Sequence, residues 1–177
     1  ADAERLSAED EPYHREPFTY EAPYLDNLPT APREKFAANI AAIQKLKEIE
    51  QRVANGGSPA FEDEQKILAQ YTGWGGLSDA FDPNKSAWSN EYSQLKAALS
   101  ESEYEAARSS TLTAFYTPAT VIHPIYRALE RFGVKGGKIL EPSMGTGAFL
   151  AHGHFGSSDA KFYGVELDSI TGRISKQ

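Results

Sequence analysis

There is no cysteine anywhere in the 177 residues, which rules out disulfides and thiolate metal sites. No apolar run approaches the ~18 residues that a membrane-crossing helix needs, so no membrane partner is expected. The opening Ala1-Asp2-Ala3-Glu4 holds neither an initiator Met nor an apolar signal core, and a cytoplasmic setting fits that start. Basic residues are scarce too: 18 Lys and Arg stand against 25 Asp and Glu, a formal charge of −7. Domains that track phosphates carry a basic face, so this stretch is not expected to bind DNA on its own. A local cluster at Arg127, Arg131, Lys135 and Lys138 reads either as a backbone contact or as cations solvating a helix end. The histidines give no metal site: His152 and His154 are two apart and on a helix point in different directions. His123, just before Pro124, reads as a packing or solvent residue.

The length, with 40% apolar and 24% charged residues, suffices for one core with a helical extension. Residues 1–32 are acidic and proline-bearing, and read as an extended arm. Residues 33–112 read as a helical domain. Arg33 to Ala54 is its clearest helix: Phe36, Ile40, Ile43, Leu46, Ile49 and Val53 line one side, and Asn55-Gly56-Gly57 stops it. A second helix is expected from Ser58-Pro59 to about Gln70, and a third from Ala87 to Leu99. A fourth follows from the capping pattern Ser100-x-x-Glu103 and runs to about Ser109.

The chemistry gathers in residues 113–177. Ile139 and Leu140 begin a short apolar run ending at Glu141, after the turn signal Gly136-Gly137. Gly145 and Gly147 let the backbone turn tightly and come close to a ligand. Ala148 to about Phe155 is then expected as a helix whose free N–H groups face an anionic group. Phe162, Tyr163 and Val165 form a second run that ends at Glu166. Ligands of open parallel sheets sit beyond the carboxyl ends of the strands, where both carboxylates fall. Glu166 suits two ribose hydroxyls, and Glu141 suits a positive group such as an α-amino group. A dinucleotide fingerprint requires Gly or Ala where Leu150 stands, so these details favour S-adenosylmethionine. An ordinary strand-to-helix turn is the plainer alternative. Upstream, Thr117-Pro118 marks a helix start with Thr117 as the cap. Val121, Ile122, Ile125, Tyr126, Leu129 and Phe132 continue it to Gly133, with a break possible at Pro124.

With those segments in view, the chain resembles the amino-methylating DNA methyltransferases of the N6-adenine type. Phe115-Tyr116-Thr117-Pro118 is similar to the motif before that family's cofactor strand. Glu141-Pro142-Ser143-Met144-Gly145-Thr146-Gly147-Ala148-Phe149 is similar to its cofactor loop, and Gly164-Val165-Glu166-Leu167-Asp168 to its ribose-binding strand end. The resemblance implies that Thr117 bonds the methionine carboxylate and that Glu141 with the Gly145–Gly147 backbone holds the amino-acid part. Glu166 would hold the ribose hydroxyls, with Leu167 beside it. Phe115 and Tyr116 either line the adenine pocket or pack beneath the cofactor. The implied fold class is α/β: an incomplete Rossmann-like methyltransferase domain over 113–177, preceded by the helical domain.

Lys35-Phe36-Ala37-Ala38-Asn39-Ile40-Ala41-Ala42-Ile43, Tyr71-Thr72-Gly73-Trp74-Gly75-Gly76-Leu77 and Glu103-Tyr104-Glu105-Ala106-Ala107-Arg108 extend the resemblance. They are similar to the amino-terminal part of very large, antirestriction-like proteins of plasmids, phages and integrative elements, which join such a domain to a helicase. That family's catalytic segment, Asn or Asp with Pro-Pro and an aromatic, is absent from this sequence. It holds the flipped adenine by its amine, so the chain is expected to bind cofactor, to supply no catalytic residue, and to be inactive alone. DNA is expected as a partner through other regions, together with downstream catalytic and helicase segments. An unfinished two-strand sheet invites dimerisation or segment exchange. Trp74 reads either as a stacking residue at the pocket or as a plug between helices and sheet. A helical partner- or DNA-docking module with a vestigial cofactor fold is the alternative reading. A nicotinamide-dependent oxidoreductase is disfavoured by Leu150 and Glu141.

Overall fold

The computed structural model describes residues 28–153 and 160–177; most of the expected arm, His154 and Phe155 lie outside them. The first helix, α1 (Pro32–Ala54), starts with proline in its first turn and stops at Asn55, before Gly56 at φ +81°. Its buried side is the expected one, Phe36, Ile40, Ile43, Leu46 and Ile49, although Val53 turns outward. Each fully buried side chain of this size stabilises by about 2 kcal/mol.

The second helix is shorter than its pattern suggests. α2 (Glu62–Leu68) does not begin at Ser58-Pro59, because the Arg52 guanidinium takes the carbonyls of Ser58 at 2.8 Å and Pro59 at 3.0 Å. The helix starts only where Glu64 accepts the Phe61 N–H at 2.8 Å. Short 3₁₀ turns at Ser78–Phe81 and Ser86–Trp88 lead into α3 (Ser89–Ala98), and α4 (Glu101–Ser110) follows. Its reciprocal cap is the one the sequence indicates: the Glu103 N–H donates to Ser100 Oγ at 3.3 Å and the Ser100 N–H to Glu103 Oε2 at 2.8 Å.

α5 (Ala119–Arg131) is capped by Pro118 rather than by the Thr117 side chain, and it runs through Pro124 unbroken. Gly133, at φ +85°, turns the chain away at its end. Strand β1 (Gly137–Glu141) pairs in parallel with β2 (Ala160–Gly164), setting Ile139 beside Phe162 and Leu140 beside Tyr163. Between them α6 (Ala148–Ala151) ends well before Phe155. The chain closes there against the sheet: a Cβ on Gly153 would lie 2.3 Å from the Phe162 ring.

Ile122 and Tyr126 of α5 cover the Ile139 and Phe162 side of the sheet. The opposite side is open, with Leu140, Tyr163 and Val165 exposed. The last helix, α7 (Ser169–Ser175), was not indicated by any apolar repeat. It docks on the helices rather than on the sheet: Ile170 and Ile174 share the core of Phe36, Ile43, Leu46, Trp74 and Leu95. Arg173 joins Glu50 at 2.7 Å and Glu103 at 2.8 Å. Among the described residues, α7 therefore packs into the same core as α1 and α3. The chain is a mixed α/β protein, mostly helical, with one two-stranded parallel sheet among the described residues. No helix there is long and apolar enough to cross a membrane.

Candidate functional site

Glu141 is the last residue of β1 and Glu166 follows the end of β2 by two residues, and the backbone between them is stitched together. Beyond the strand ends the parallel ladder continues, with the Val165 N–H donating to Glu141 O at 2.9 Å and the Met144 N–H to Val165 O at 3.0 Å. Gly145 sits at φ +58°, a region that only glycine enters freely. Its N–H donates to Glu166 Oε2 at 2.9 Å, and the Asp168 N–H donates to Glu166 Oε1 at 2.8 Å. Glu166 thus pins the glycine turn to the end of β2. Each carboxylate oxygen has a second acceptor position, enough for a pair of vicinal hydroxyls. Glu141 Oε1 accepts the Ser143 N–H at 3.1 Å, and its other oxygen is available to a cation.

These groups open onto one cavity of about 710 Å³, in the range of small-molecule sites. Phe115, Tyr116, Thr117, Glu141, Ser143, Gly145, Thr146, Phe149, Glu166 and Leu167 all line it. Pro118, Pro142 and Gly147, from the same motifs, do not. Phe115 and Leu167 leave large apolar surfaces bare at the rim, 65% and 98% exposed. Chemically, this set of acceptors can take hydroxyl donors at Glu166 and a cation at Glu141, beside apolar surface at the rim.

The far wall comes from the loop after α2 and from α4. Tyr71, Gly73 and Trp74 line it, with Ala106, Ser109 and Ser110 at the end of α4. Trp74 is 1% exposed and stands edge-on to Phe81 at 5.4 Å, so it fills the junction between helices and cavity as a plug does. Burial pushes the Tyr71 phenol well above its ordinary value. Asp168, the cap of α7, and Ser169 and Thr171 on it also line the cavity; Asp168 stood in the quoted strand-end motif without a role, and Ser169 and Thr171 were not singled out in the sequence. Asp168 caps that helix by accepting the Thr171 N–H at 2.8 Å, and the Tyr116 hydroxyl meets Thr171 Oγ1 at 3.3 Å. The spacing Asp168-x-x-Thr171 was the available signal, a cap without an apolar stripe behind it.

Elsewhere, the His123 ring reaches His152 Nδ1 at 3.0 Å, a pair that sequence spacing could not show. Among the described residues, no group of three or more His, Asp or Glu is placed to hold a metal. Arg127, Arg131, Lys135 and Lys138 are exposed at the end of α5 and the start of β1, away from the cavity.

A mixed α/β chain with a ligand-sized cavity at the carboxyl ends of two parallel strands is the class that fold and site define. The chain is weakly similar to the "Defense against restriction protein B" of Escherichia phage P1, 26% identical over 163 residues. The match takes in 92% of this chain but only 6% of that relative's length. No family model matches, and no solved structure matches.

Proposed function

We propose that this chain is the cofactor-binding part of an S-adenosylmethionine-dependent DNA methyltransferase of the N6-adenine type. Its sheet and cavity would be the opening half of a Rossmann-like domain. The carrying observation is the joint placement of Glu141, the Gly145 turn and Glu166 around one cavity. Glu166 would take the ribose hydroxyls, and Glu141 the α-amino group. Thr117 would take the methionine carboxylate, with Phe115 and Leu167 against the adenine. The cofactor supplies an electrophilic methyl group when bound; the residues present here bind and orient it. No Asn/Asp-Pro-Pro-aromatic segment is in the sequence, so the target adenine would be held by other regions of a larger protein. DNA contacts and a helicase would belong to those regions too. The likeness to the phage "Defense against restriction protein B" supports a role in defense against restriction.

Thermal denaturation with added cofactor tests the reading. A ligand at a hundred times its Kd stabilises the folded state by about 2.7 kcal/mol. S-adenosylmethionine and its demethylated product are expected to raise the melting temperature, and NAD to leave it unchanged. A rise with NAD alone would replace this reading with a nicotinamide one.

A further inference from the structure

Asn39 lies in the middle of α1 with 0% of its surface exposed, a polar group among Phe36, Ile40 and Ile43. A buried amide left without partners costs about 1–3 kcal/mol, so its partners show what it is for. Its Nδ2 donates to Gly73 O at 2.7 Å, and its Oδ1 accepts the Thr72 N–H at 2.9 Å. One turn earlier, Lys35 Nζ donates to Gly75 O at 2.9 Å. Two side chains of α1 therefore fix a strip of loop backbone.

The segment before α5 lies on that strip. The Gly75 N–H donates to Ala114 O at 3.1 Å, and the Gly76 N–H to Thr111 O at 3.0 Å. The approach leaves no room for side chains: a Cβ on Gly75 would stand 2.2 Å from Ala114 O, and one on Gly73 3.1 Å from the Tyr116 ring. Tyr116 in turn stands 3.6 Å from where a Cβ on Gly145 would be, and its hydroxyl meets Thr171. Contact thus runs from α1 through the loop to Tyr116, and from Tyr116 to both the glycine turn and α7.

We propose that Asn39 is a positioning residue for the cavity: it holds the Thr72–Gly73 backbone so that Tyr116 is set against the Gly145 turn and Thr171. The inference rests on the cofactor reading only for the identity of the ligand. If Asn39 served stability alone, its loss would weaken the whole helical core evenly and leave the cavity no worse than the rest.

Amide hydrogen exchange separates the two. The Gly145 and Thr171 amides report the cavity, since they donate to Glu166 and Asp168; the Ile43 and Leu46 amides on α1 report the core. Asn39→Asp keeps the shape but turns an oxygen toward Gly73 O. Gly73→Ala, at φ +69°, strains the same loop backbone and crowds the Tyr116 ring by a second route, should the first variant fail to fold. Ile49→Ala weakens the same helix away from the loop. Protection at Gly145 and Thr171 is expected to fall at least about tenfold more than at Ile43 and Leu46 in Asn39→Asp and Gly73→Ala. Ile49→Ala is expected to lower all four together. An Asn39→Asp protein whose cavity amides keep their protection, or whose four amides fall together, would overturn the proposal. A parallel titration in which the unaltered protein ignores S-adenosylmethionine would count against the cofactor alone, because the exchange comparison needs no ligand.

Discussion

Glu166 and Trp74 show how single residues divide the work. Glu166 is half-buried and takes one backbone N–H on each oxygen, so it organises the turn while keeping room for hydroxyls. Its grip on the turn was not legible in the sequence. The position of a carboxylate at a strand end pointed to ribose, but its grip on Gly145 depends on a fold that brings residues 21 apart together. Trp74 is the opposite case. Three glycines around an aromatic pair left stacking and plugging open; its packing against Phe36, Tyr71 and Phe81 makes it structural. Trp74→Ala is expected to cost about 3–5 kcal/mol of stability, read as a lower denaturation midpoint. Cofactor affinity measured on the folded fraction should then change little. Lost affinity with an unchanged midpoint would contradict this assignment.

Among the elements, α1 and α4 were the most legible, because a long apolar stripe and a reciprocal cap are local signals. α2 began late because Arg52, three residues before a loop, captured the carbonyls that a helix would have used. α7 escaped because its only large apolar residues, Ile170 and Ile174, face another part of the chain. What holds α7 there is charge as well as packing. Arg173 bridges Glu50 and Glu103, and Glu103 also meets Lys47 at 3.0 Å. Burial pushes the Glu103 carboxyl up, but Arg173, the Ser100 N–H and Lys47 outweigh it and hold the group at about 2. Arg52 holds Glu64 at about 2 as well. An unfolded Glu titrates near ~4.3, so both groups add stability above that pH and lose it as pH falls toward their folded values. The melting temperature is expected to drop between about pH 4.5 and 2, and Glu103→Gln to flatten part of that drop. An equal drop in the variant would mean that the bridge adds nothing.

For the molecule as a whole, the helices and the sheet are joined through the cavity: the 71–74 loop and α4 form one wall, the strand ends the other, and α7 closes the gap. The sequence separated a helical stretch from a strand-bearing one and offered only Trp74 as a plug between them; the contacts of Asn39, Tyr116 and Ile170 across that junction join residues far apart in the chain, which no local pattern shows. The sheet keeps an apolar face of Leu140, Tyr163 and Val165 open to solvent, and two parallel strands leave edges that pair readily. We therefore expect association that grows with concentration in sedimentation velocity; a single monomeric boundary at high concentration would contradict it. The central claim, that Glu141, the Gly145 turn and Glu166 form a methyl-donor site, is tested most directly by calorimetric titration with S-adenosylmethionine, using NAD as the control ligand and Glu166→Ala as the control protein. The account predicts saturable binding of S-adenosylmethionine, none of NAD, and loss of binding in Glu166→Ala; equal binding by Glu166→Ala, or no binding of S-adenosylmethionine by the unaltered chain, would contradict it.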